Sequence, residues 1–103
     1  MARSTWVSYT SASHGRLSTA IKNSLPISAF AFPNTRKEPM TDATHVRDAM
    51  ARFNQVTGVT NAERDLAFSN IQKAAKYFNI DMKEKSWHEF GLEHIKKAKT
   101  TII

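Results

Sequence analysis

"FPNTRKEPMTDATHVRDAM", residues 32–50, forms the border between two unlike parts of a 103-residue chain. No acidic residue precedes Glu38, and a helical pattern begins only after Pro39. Pro33 and Pro39 fix their own φ and bias the residues before them away from the helical region, so the spacing predicts extended chain between them. Thr41 and Asp42 can each start a helix, because a short side-chain oxygen accepts from backbone N–H groups that lack a partner in the first turn. Val46, Ala49, Met50 and Phe53 then recur at i, i+3, i+4 and i+7, which is one helical face.

The pattern continues towards the C-terminus. Gly58 is expected to stop the first helix, since glycine takes the left-handed conformation without a side-chain penalty. Thr60 and Glu63 have the spacing of a capping box, and Ala67, Ile71, Ala74, Ala75 and Phe78 trace a second stripe behind it. Asn79 is expected to end that helix, with Ile80 folding back on it. Ser86 and Glu89 repeat the capping-box spacing and predict a third helix carrying Trp87 and Phe90. Lys96, Lys97 and Lys99 lie near its C-terminal end, where the helix dipole favours cations. The expected fold is therefore all-α: a small three-helix module over residues 40–97, with residues 98–103 frayed.

Towards the N-terminus the helical period is lost. Residues 1–39 read as an extended, basic arm partly docked on the body. Leu17, Ala20 and Ile21 allow one short helix before Pro26. Trp6, Phe30 and Phe32 are its candidate anchors, onto the helices or onto a neighbouring protein. Within the arm, Arg36 is expected to face solvent. Arg36 and Lys37 are expected to clamp the acids of the following helix start rather than hold a phosphate there.

Charge is distributed as unevenly as structure. Of the net charge of +6, residues 1–37 carry +5, residues 38–82 carry −1, and residues 83–103 carry +2. Basic ends on a near-neutral middle favour an anionic partner such as nucleic acid. The candidate contacts are Arg3, Arg16, Lys22, Arg36, Lys37, Lys96, Lys97 and Lys99. No apolar run approaches the roughly 20 residues of a membrane span, so no membrane association is expected. The absence of cysteine excludes disulfides, thiolate catalysis and cysteine zinc sites, and fits a reducing cytoplasm. The acid-free, Ser/Thr/Arg-containing start also has the composition of an organelle transit peptide, although it lacks that peptide's apolar face.

No catalytic or metal-binding constellation has the spacing it needs. His88 and His94 are six apart, whereas a helical zinc pair must be four apart to face one ion. Asp42, His45 and Asp48 share a helical stretch but have no nucleophile at a defined spacing, and three glycines do not make a phosphate loop. The expectation is a chain without enzymatic activity, cofactor or metal.

Residues 25–91 resemble an uncharacterised family of small bacterial and phage-associated domains. The resemblance is carried by Leu25-Pro26, Ser28 to Pro33, Arg36 to Pro39, Thr41-Asp42-Ala43, His45-Val46-Arg47, Ala51-Arg52-Phe53 and Gln55 to Val59. It continues through Ala62 to Asp65, Ile71-Gln72, Ala74-Ala75-Lys76 and Trp87. Asp48, Phe68 and Asn79 depart from the pattern, which favours Asn, Trp and Gly there. The resemblance implies a helical module and carries over no catalytic residue. The leading functional expectation is a non-catalytic binding or accessory module associated with nucleic acid through its basic arms. The alternative is a phage-derived virion or assembly component, tied to a neighbour by its N-terminal arm. The corresponding locations are the cytoplasm or a virion.

Overall fold

The computed structural model describes residues 3–9 and 18–90. Arg16, Lys96, Lys97, Lys99 and most of the expected third helix lie outside the described residues. The elements run α1 (Thr19–Ser24), β1 (Phe30–Phe32), β2 (Lys37–Pro39), α2 (Ala43–Arg52) and α3 (Asn61–Tyr77). Short 3₁₀ turns at Ile27–Ala29 and Phe53–Gln55 lead into β1 and out of α2.

The all-α expectation is corrected by the segment between the two prolines. β1 and β2 form an antiparallel hairpin in which Phe30 faces Pro39 and Phe32 faces Lys37. The Met40 N–H extends the pairing by donating to the Ala29 carbonyl at 2.8 Å. The chain is extended near each proline, as expected, but it reverses between them. Arg36 N–H donates to the Pro33 carbonyl at 3.3 Å, and Arg36 itself takes φ 53°. Left-handed backbone normally calls for glycine or asparagine. An arginine in that position gives no turn signal, which is why the hairpin was not visible in the pattern. The fold is thus a mixed one: helices packed on a two-stranded sheet, rather than a bundle of three helices.

The helices form for the reasons read from the sequence. The Asp42 carboxylate caps α2 by accepting from His45 N–H at 2.8 Å. Thr60 and Glu63 complete the capping box of α3, with bonds of 3.0 and 3.1 Å. Asn79 at φ 58° terminates α3, while Ile80 N–H returns to Ala75 O at 2.8 Å and Asn79 N–H to Lys76 O at 3.3 Å. That paired return is a Schellman motif, and Ile80 packs on the core beside it. One boundary differs: α2 ends at Arg52, so Gly58 at φ 74° shapes the connection to α3 rather than the helix end. Glu89 accepts from Ser86 N–H at 2.9 Å ahead of the helical residues 88–90.

β1 packs on α3, as α2 also does, and is buried at Phe30, Ala31 and Phe32 alike. Phe32 enters the main core with Val46, Ala49, Phe53, Ala67, Phe68 and Ile71. Phe30 enters a smaller cluster with Leu25 and Ala29. Trp87 and Phe90 close the far side, their rings 6.1 and 5.1 Å from that of Phe53. Trp87 is oriented by an Nε1–H bond to Asp65 at 2.7 Å.

Residues 3–9 run extended over this assembly. Trp6 is buried, and its Nε1–H donates to Met40 O at 3.2 Å. The segment is joined to the sheet side by one backbone bond, Val7 N–H to Ser28 O at 3.1 Å. Its principal attachment is a side chain on α3. Asn70, fully buried, accepts on Oδ1 from Thr5 N–H at 2.8 Å, Trp6 N–H at 3.0 Å and the Ser4 hydroxyl at 2.8 Å. Its Nδ2 donates to Ala31 O at 2.8 Å. One amide therefore joins α3, β1 and the N-terminal segment.

Candidate functional site

An open groove of about 770 Å³ lies where α1, the hairpin and α2 meet. Lys22 and Asn23 reach it from α1, Arg36 and Glu38 from the hairpin, and His45 and Arg52 from α2. Lys37 and Asp48 also line it, so its cations outnumber its acids. His45, Asp48 and Arg52 stand at i, i+3 and i+7, which aligns them on one side of α2.

The cations fall into two kinds. Arg36 Nη2 donates to the Lys22, Asn23 and Leu25 carbonyls at 2.8, 3.3 and 2.9 Å. These are carbonyls at the C-terminal end of α1, where few intrahelical partners remain; that of Lys22 also accepts from Leu25 N–H at 3.3 Å. The same guanidinium lies 4.7 Å above the centre of the Phe30 ring. Arg36 was expected to be a solvent-facing side chain of little structural weight; although exposed, it ties α1 to the hairpin. Lys37 donates to Thr57 O at 2.9 Å and so braces the turn after α2. Lys22 and Arg52, by contrast, are exposed and make no side-chain hydrogen bond or ion pair among the described residues.

The carboxylates differ as well. Asp42 is bound by the His45 ring at 2.8 Å in addition to capping α2. Glu38 is half-buried in β2, with φ 58°, and its carboxylate has no hydrogen bond or ion pair among the described residues. A non-glycine residue held in this conformation stores about 1–3 kcal/mol of backbone strain. Burial raises the Glu38 carboxyl above its ordinary pKa and outweighs the lowering by Arg52; Asp48 adds to the rise, while Lys22 and His45 oppose it. The folded state thus holds this proton more tightly than the unfolded chain does. The Glu38 contribution to stability falls as pH rises from the ordinary carboxylate value through the raised one. Glu38→Gln is therefore expected to melt higher than the parent near neutral pH, with the difference shrinking in acid. Thermal denaturation of the two proteins across that range checks it; a Gln variant that melts lower at neutral pH would refute the assignment.

Of the eight candidate nucleic-acid contacts, the fold brings Lys22, Arg36 and Lys37 to this groove. Arg3 is exposed on the N-terminal segment, and the other four lie outside the described residues. The three candidate anchors, Trp6, Phe30 and Phe32, are all buried within their own chain. Glu38, Arg52 and Asn70 were missed as site or anchoring residues. Arg52 was detectable, since it continues the His45–Asp48 helical face. Asn70 was too, since it lies three residues after Ala67 and four before Ala74 on an apolar stripe. Nothing in the sequence marks the Glu38 backbone.

A family described as "Family of unknown function (DUF6582)" matches residues 23–85, well over half of the chain. The chain belongs to this family. The DUF6582 segment contains the hairpin, α2, α3 and most of the groove, but neither Lys22 nor the segment bearing Trp6. No curated protein and no solved structure matches the chain. No described helix is long and apolar enough to cross a membrane.

Proposed function

We propose that this protein is a non-catalytic accessory module that binds nucleic acid through the phosphate backbone, with the groove as its main contact surface. The observation that carries the reading is the convergence of Lys22, Arg36, Lys37 and Arg52, from three separate segments, on one groove. Two of the four are held by the fold and provide fixed positive charge; Lys22 and Arg52 remain available to ion-pair with phosphate. Arg3, Arg16 and the C-terminal lysines would add contacts on the flanks. The site of action would be the cytoplasm, or a virion if the gene is of phage origin. The assembly reading, in which Trp6, Phe30 and Phe32 grip a neighbour, draws no support from rings already buried in their own chain.

Fluorescence anisotropy of the full chain with labelled oligonucleotides tests the proposal. Affinity should fall linearly in log–log terms with salt, by roughly 0.7–0.9 units per phosphate neutralised. Replacing Lys22 and Arg52 together with glutamate should weaken binding at low salt at least about tenfold and reduce the slope by about two units. Binding that ignores both salt and this double substitution would overturn it.

A further inference from the structure

Within the groove, the residues the fold holds most tightly are not the ones that would best hold phosphate. Arg36 is a flat group fixed by three carbonyls, its guanidinium carbon 4.7 Å over the Phe30 ring. Exposed in the groove, a guanidinium plane held in this way can take a nucleobase, which stacks on arginine as it does on an aromatic ring. Two residues further on, Glu38 lines the same groove with a carboxylate that has no hydrogen bond or ion pair among the described residues, on a strained backbone. Strain of this kind persists only where the surroundings impose it. Lys22 and Arg52 stand on α1 and α2 with no side-chain hydrogen bond or ion pair among the described residues.

Resting on the nucleic-acid reading above, we infer that the groove is a guanine-selective subsite for single-stranded nucleic acid, with the base stacked on Arg36, its Watson–Crick edge on Glu38, and the flanking phosphates on Lys22 and Arg52. The selectivity follows from donor and acceptor order. An ionised carboxylate only accepts hydrogen bonds, and its two oxygens suit two adjacent donors. Guanine presents N1–H beside the N2 amino group on that edge. Adenine and cytosine present a donor beside an acceptor, and uracil a single donor between acceptors, so each turns a lone pair towards the carboxylate. In a duplex the guanine edge is already paired, so the subsite requires an unpaired strand.

The test uses the full chain and fluorescein-labelled octamers: uridine only, uridine with one central guanosine, and their deoxythymidine counterparts. The parent should bind the guanine-containing strands roughly 5- to 100-fold more tightly than the guanine-free ones. Similar ratios in the ribose and deoxyribose series identify the base as the feature read; selectivity in one series alone assigns it to the sugar and overturns the guanine assignment. Glu38→Gln places an amide donor against the guanine donors, so it should remove the preference, while tightening the guanine-free strand slightly through loss of a negative charge. Arg36→Lys keeps the charge but not the plane, and should weaken the guanine strand more than the guanine-free one. Equal affinity of the parent for both strands, or a preference that survives Glu38→Gln, overturns the subsite while leaving salt-dependent phosphate binding standing. Failure to bind either strand at low salt overturns both readings.

Discussion

Asn70→Leu should lower the melting temperature by roughly 10–25 °C, one of two large effects expected from the N-terminal attachment. Leucine nearly matches asparagine in shape but can neither accept nor donate. The substitution strips Thr5 N–H and Ala31 O of the partner they share with Trp6 N–H, and leaves Trp6 N–H only the Ser4 hydroxyl at 3.2 Å. Each buried polar group left without a partner costs about 1–3 kcal/mol. Against a total stability of roughly 5–15 kcal/mol, the sum is a large fraction. Asn70→Asp separates the two roles of the amide. It keeps an acceptor for the N-terminal segment but loses the donor to Ala31 O, and sets a carboxylate oxygen against that carbonyl. It should fall between the parent and Asn70→Leu. Thermal denaturation decides the order; an Asn70→Leu protein that melts with the parent would mean that the segment is held by something else.

Trp6→Ala should cost about 3–5 kcal/mol, as large aromatic truncations in cores do. The indole is 1% exposed, packs edge-on to Tyr77 and Phe78 at 5.7 and 6.0 Å, and gives its N–H to Met40 O. Its neighbour Val7 is 55% exposed, so Val7→Ala should stay within about 0.5 kcal/mol. Trp6→Ala and Asn70→Leu act on one segment, so the double variant should lose less than the sum of the two. Chemical denaturation of the four proteins measures that coupling, and strict additivity would show that Trp6 packs independently of Asn70. The same geometry makes deletion of residues 1–24 a poor test of nucleic-acid binding. It would remove Trp6 from the core along with Arg3, Arg16 and Lys22, and mix unfolding with loss of charge.

The helices were largely legible because their signals are local. A cap needs one oxygen within three residues of the N–H groups it serves, as at Asp42 and Thr60. A helical face needs only a repeat of 3.6 residues, as from Val46 to Phe53. The basic candidates were legible as charges but not as a site. Whether a lysine has no bond among the described residues, like Lys22, or is committed to a distant carbonyl, like Lys37 on Thr57, depends on chain brought near by folding.

By itself, then, the sequence determined α2, α3, their caps and the stop at Asn79, together with the concentration of positive charge outside the middle of the chain. Only the tertiary structure decided that residues 30–39 pair as a hairpin. Its turn depends on Arg36 in left-handed backbone, a conformation arginine does not favour locally and which bonds to α1 and contact with Phe30 accompany. It also decided that residues 3–9 are part of the core, through an asparagine more than 60 positions away in the chain. And it gathered Lys22, Glu38 and Arg52 around one groove. Contacts of that range are set by how α1, the hairpin and α2 pack, and burial, which no local pattern records, is what raises the Glu38 carboxyl above the usual carboxylate range.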